Sequence, residues 1–194
     1  RVDHASAFET NNFYYLRGRI AAEQSDWARA LDDFSRIGKT NPLRPMALWH
    51  GAEAAIQLGA GVTAEQMIDE LPADFPSGLM LQLTRKAPPE LALKILDKMN
   101  TREARLQRAL LRSNIPALWT LLRERNSDDV GLQSARRLLE VASSSAEWRD
   151  LGSALLAQRQ FADATAAYMQ SSQDPKYAAE SHYQMARIHF LSED

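Results

Sequence analysis

The sequence predicts an all-α chain of stacked antiparallel helix pairs, and three observations carry that prediction. Apolar residues recur at helical spacing along most of the 194 residues. Two segments 134 residues apart share one order of aromatic, small and apolar positions. Pro, Gly and Asn cut much of the remainder into pieces too short to stand as free helices, so they must stack.

The first segment runs from Ser25 to Pro42, "SDWARALDDFSRIGKTNP". Trp27, Ala30, Leu31 and Phe34 stand at i, i+3, i+4 and i+7, one face of an α-helix. Asp26, Arg29, Asp32, Asp33 and Arg36 fill the other sides. Gly38 suits a C-terminal stop, and Asn41-Pro42 forbids continuation. Upstream, Tyr14, Gly18 and Ala21 line a second helical face. The later segment, "EWRDLGSALLAQRQFADATAAYMQSSQDP", gives Trp148, Gly152 and Leu155 at the same spacings. Phe161 follows Gly152 by nine residues, as Trp27 follows Gly18, and Ala164 and Tyr168 match Ala30 and Phe34.

These residues resemble the tetratricopeptide repeat (TPR), a helix–turn–helix unit with Trp or Tyr, then Gly, Ala, an aromatic and Pro. Gly18 and Gly152 fall at its small-residue site, and Ala30 and Ala164 at its second close contact. Phe34 and Tyr168 take the aromatic site, and Pro42 and Pro175 end the units. Arg17 departs from the family's Leu, whereas Leu151 restores it. The clearest repeats are 12–42 and 146–175; "MALWHGAEAAIQLG" and "AAESHYQMARIHF" read as first helices of further units. The resemblance implies a right-handed α-solenoid of about five to six pairs, a single superhelical segment over 1–194 cut from a longer chain.

The middle is helical but degenerate. Helices are expected near 64–71, 77–85, 89–99, 102–113, 116–125 and 129–143. With the helix at Met46–Gly59 their number is odd, which alternation of paired helices does not allow. Either 77–85 is not a regular helix or one helix is an insert. At the other end, Ala179–Leu191 reads as a first helix without its second. Met185, Ile188 and Phe190 are then expected on an uncovered edge, and either the polypeptide is expected to continue past Asp194 or a second molecule to cover that edge.

Composition and motifs exclude several chemistries. A net charge of −2 argues against a domain-wide nucleic-acid footprint. The absence of Cys removes disulfides, Cys-based zinc sites and thiol nucleophiles. No apolar run approaches the roughly 20 residues that span a bilayer. "DFSRIGKT" ends like a P-loop, but Asp33 stands where the motif needs Gly, and a helix precedes it rather than a strand. "ESHY" at Glu180–Tyr183 and "GLMLQ" at Gly78–Gln82 resemble lytic transglycosylase motifs, but in reversed order and with Leu81 intruding. His4, His50, His182 and His189 form no ligand set; the last two lie about 10 Å apart along one helix. His50 reads as a residue of the repeat surface.

What remains is recognition. Between Thr101 and Arg137 eight Arg face four acids, and Arg105, Arg108 and Arg112 form one stripe suited to an acidic partner or an anionic glycan. Trp27, Phe34, Trp148, Phe161 and Tyr168 read as packing residues. Tyr15, Arg19, Arg149, Ser153, Tyr183 and Arg187 lie on the other side of their first helices, which in TPR proteins lines the concave, partner-binding groove. The Lys/Asn set with which some TPR domains hold a peptide C-terminus is absent. The expectation is a non-catalytic protein–protein interaction scaffold without cofactor or metal, in a bacterial envelope or secretion assembly. That setting points to the periplasm rather than the cytoplasm. The alternative is the superhelical accessory domain of a lytic transglycosylase or polysaccharide-export protein, touching glycan.

Overall fold

Each periodic stretch of the sequence folds as a helix. The structure, a computed structural model, describes residues 2–192, with side chains from residue 9 onward, so the side chain of His4 lies outside the described residues. Among the described residues there are twelve α-helices and no strand. The chain divides into two compact units, Arg1–Asn100 and Thr101–Asp194.

The first unit holds α1 (Val2–Glu23), α2 (Trp27–Ser35), α3 (Arg44–Gln57), α4 (Gly61–Asp69), α5 (Ser77–Lys86) and α6 (Pro89–Asp97). Helices α1 to α4 pack in succession, α5 packs on α6, and α3 and α4 also touch α5 and α6 respectively. The second unit holds α7 (Arg102–Leu111), α8 (Ile115–Glu124), α9 (Asp129–Leu139), α10 (Ser145–Ala157), α11 (Phe161–Ser171) and α12 (Pro175–Ser192). Successive helices pack throughout, and α10 also lies against α12. Side chains of Asp26, Thr101, Asn114, Asp128 and Ser144 cap the helices they precede by accepting an N–H three residues on. Ser144 and Glu147 complete a reciprocal capping box.

One turn recurs four times. After α1, the Ser25 N–H donates to Ala22 O at 3.0 Å and the Asp26 N–H to Ala21 O at 2.8 Å, with Ser25 at φ +60°. The same pair of bonds closes Gly59–Ala60 after α3, Ser113–Asn114 after α7 and Arg159–Gln160 after α10. In each case the first residue is left-handed, at φ +71°, +48° and +55°. This arrangement satisfies carbonyls that a helix end would otherwise leave bare, and it reverses the chain within three residues.

The turn brings the second helix back onto a glycine of the first. A Cβ on Gly18 would lie 2.9 Å from the Phe34 ring, and one on Gly152 would lie 2.9 Å from the Tyr168 ring. A Cβ on Gly51 would meet Met67 Sδ at 2.7 Å. In all three pairs the partner lies sixteen residues after the glycine.

One open choice is resolved and two expectations are corrected. Ser77–Lys86 is a helix, so seven helices separate α2 from α10 and the odd count is real. The recurring turns join α7 to α8 and α10 to α11, and α9 lies between these two pairs. Its start is pressed against the preceding link, since a Cβ on Gly131 would stand 2.6 Å from the Arg125 carbonyl oxygen. Asp33 does not belong to a solvated side: it is fully buried and bound by Arg17, whose Nε donates to Asp33 Oδ2 at 2.8 Å. A second bond, from Nη2 to Oδ1, makes the pair bidentate. This explains Arg17 where the repeat prefers Leu. At the far end of the chain Ile188 is buried and Met185 packs on the core, because α10 and α11 cover them. Of the three residues expected on that edge, Phe190 is exposed, at 81%.

Candidate functional site

Helix α10 turns Leu151, Gly152, Ala154 and Leu155 inward, which leaves Ser153, Leu156 and Ala157 facing α12 across a concavity. With Arg159, Phe161, Tyr168, Gln184, Arg187 and Leu191 they enclose about 450 Å³. Because Gly152 has no side chain, the Tyr168 ring lies close beneath α10, and its hydroxyl reaches Ser153 Oγ at 3.0 Å. Burial pushes the Tyr168 phenol above its ordinary pKa; the bond to Ser153 opposes this, and Glu180 reinforces it. Arg187 and Arg149 act in the lowering direction.

Two features give the cavity a chemical preference. Among the described residues, neither Arg159 nor Arg187 has a carboxylate partner. The Arg159 guanidinium sits over the Phe161 ring, 5.7 Å from its centroid. Gln184 Oε1 is buried and has no hydrogen-bond partner among the described residues. The concavity therefore offers two cations, one bare acceptor, a hydroxyl pair and the aliphatic walls of Leu156, Ala157 and Leu191.

Of the six residues expected in the groove, Ser153 and Arg187 line this cavity. Arg149 turns aside: it donates to Asp150 Oδ1 at 2.7 Å, which raises its pKa, and it covers the Tyr177 ring at 5.0 Å. Tyr183 is 67% exposed and outside the cavity. Tyr15 and Arg19 belong to the first unit, where the matching face is filled. Tyr15 meets the Phe34 and His50 rings, each at 6.0 Å. Arg19 extends to Glu23, 4.0 Å away.

His50 is corrected from a repeat-surface residue to a packed one. It stacks on Phe34 at 5.4 Å and meets Trp49 edge-on at 4.8 Å. Its Nδ1 lies 3.8 Å from Glu53 Oε2, and Lys86 binds the other carboxylate oxygen. His50 chiefly, with help from Lys86 and against burial, holds the Glu53 carboxyl down at about 2.

The Arg stripe also borders one concavity. Arg105, Arg108 and Arg112 line a space of about 330 Å³ with Asn114 and Thr120. Arg105 grips Glu124 through both terminal nitrogens, at 2.9 and 2.7 Å. The contact raises the Arg105 pKa and lowers that of Glu124. Arg102 is bound by Asp128, so part of the local positive charge is answered within the unit.

The decoys resolve simply. The Gly38 N–H, which a P-loop would aim at phosphate, donates to Asn11 Oδ1 at 2.9 Å. Glu180 is exposed on α12. Among the described residues no group of His, Asp and Glu is placed to hold a metal, and no helix is long and apolar enough to cross a membrane. Sequence reasoning missed Arg159, Gln184 and the hydroxyl of Tyr168. The signal for Arg159 was its position seven residues after Gly152, the place Ser25 holds after Gly18. Compared with known proteins, the chain matches no protein-family model and no curated protein.

Proposed function

We propose that both units are stretches of right-handed, TPR-like solenoid and that the protein is a non-catalytic protein–protein interaction scaffold. The observation that carries this reading is the fourfold turn, accompanied in three pairs by a glycine under a large side chain sixteen residues on. Such units bury their apolar faces only by stacking, and stacking presents a fixed row of side chains along one face. The cavity supports the reading further, because Ser153 and Arg187, two residues expected in the groove, line it together. A place in a bacterial envelope assembly remains part of the proposal through the resemblance alone.

The test is chemical-shift mapping of the labelled protein with pools of short random peptides. The scaffold reading expects shifts concentrated at Ser153, Tyr168, Gln184 and Arg187, with Asp163 and Ala166, on the face of α11 turned away from Phe161 and Tyr168, unmoved. No shift with any pool, or release of products from glycan strands that depends on Glu180, would contradict it.

A further inference from the structure

The groove of the second unit has a counterpart in the first that is already occupied, and this contrast identifies what the open one takes. His50 stands 134 residues before Gln184, Glu53 stands 134 before Arg187, and Phe34 stands 134 before Tyr168. In the first unit the His50 ring fills the space over Phe34, and Glu53 is neutralised by Lys86. In the second unit, among the described residues, the same positions carry an amide with a buried oxygen that lacks a partner and an arginine that lacks a carboxylate, beside about 450 Å³ of open space.

We propose that this cavity binds an acidic peptide segment of a partner protein, with an Asp or Glu carboxylate between Arg159 and Arg187. Two guanidiniums lining one concavity, with no carboxylate bound to either among the described residues, are electrostatically incomplete, and a carboxylate is the group their planar donors fit. Gln184 Oε1 accepts a backbone N–H of the bound segment, which removes a buried acceptor that is otherwise unsatisfied. Leu156, Ala157 and Leu191 receive a neighbouring aliphatic side chain. A sugar is the poorer fit, because the Phe161 face that would stack on it is covered by Arg159. The backbone adds a further sign. The turn after α10 places Arg159 at φ +55°, where the other three turns use Ser25, Gly59 and Ser113. An arginine is held there at the left-handed backbone cost that only glycine, as at Gly59, would lessen.

This inference rests on the scaffold reading, and its test separates the two. Fluorescence anisotropy on the full chain uses capped peptides of one Leu/Ala/Gly background carrying Glu, Gln or Lys, and a uronic-acid oligosaccharide. The Glu peptide should bind about tenfold or more tighter than the Gln peptide, as expected for charge-assisted bonds. Arg187→Gln and Arg159→Gln should each bring it close to the Gln level, while Arg85→Gln in the first unit leaves it unchanged. Gln184→Leu should weaken the Glu and Gln peptides alike, because the backbone N–H is common to both. Equal binding of the Glu and Gln peptides, or tightest binding of the Lys peptide, overturns the acidic preference and leaves a scaffold. Tighter binding of the uronate overturns the choice of a peptide, and failure of every peptide to bind counts against both readings.

Discussion

The α1–α2 and α10–α11 pairs have one backbone plan and two kinds of core. Both turn on a left-handed residue, Ser25 or Arg159, and both bring an aromatic ring onto a glycine. Where the later pair buries Leu151 and Ala167, the earlier one places Arg17 and the fully buried Asp33 at the same register. Where Tyr168 offers a hydroxyl to Ser153, Phe34 has none, and Arg19 stands in the place of Ser153. The difference teaches that the turn and the glycine contact define the unit. The pair beneath them can be apolar or ionic, provided that both members change together.

The largest effect should come from breaking that coupling. Arg17→Leu leaves the fully buried Asp33 without its partner, and a stranded buried carboxylate should make this the largest loss of the series. The double variant Arg17→Leu/Asp33→Ala copies Leu151 and Ala167, and should recover most of that loss in urea unfolding. A double variant as unstable as the single one would mean that the two pairs are not interchangeable.

Next in size is overpacking at the shared contact. Gly152→Leu and Gly18→Leu both drive a side chain into a ring that a Cβ alone would approach to 2.9 Å. Each should lose about 1–3 kcal/mol or more by thermal melting. A large loss at one and none at the other would break the equivalence.

The filled groove predicts an acid sensitivity that the open groove lacks. Glu53 is held near 2 against an ordinary 4.5, so the stability it contributes is present above about 4.5. That contribution should fade as pH falls from there through about 2. Glu53→Gln should flatten this part of the stability–pH curve, and an unchanged slope would remove the His50–Glu53–Lys86 network from the comparison.

Smaller still are the hydroxyl and the turn. Tyr168→Phe turns the later pair into the earlier one at the cost of one hydrogen bond, about 1 kcal/mol. Arg159→Gly relieves a left-handed arginine and should stabilise by a few tenths to about 1 kcal/mol. The same substitution should weaken binding of the Glu peptide, which separates the arginine's recognition role from its effect on the turn.

Much of this was legible because helical periodicity and proline punctuation are local signals. The middle helices fall within a few residues of their expected bounds, and Pro89 and Pro116 do stand in first turns. The recurring turn was not legible, because only Gly59 among its four left-handed residues is the residue that conformation favours. Asp33 looked like its charged neighbours on the helix, since its partner lies sixteen residues away on another helix. The same limit hid Glu124 from the Arg stripe, nineteen residues from Arg105. Ser153 and Arg187 were legible because register alone places a residue on a helix face. Arg159 and Gln184 were not, because a cavity depends on what surrounds it.

The repeat itself stands or falls on its turns, and residue-resolved amide exchange tests them directly. The N–H groups of Asp26, Ala60, Asn114 and Gln160 each donate to a carbonyl five residues back, at 2.8, 2.8, 2.8 and 2.9 Å. If the four turns are one structure, all four amides exchange at least about a hundredfold slower than unprotected amides, as hydrogen-bonded groups that need local opening do. Free exchange at any of the four, beside slow exchange in its flanking helices, would contradict the common turn and with it the repeat.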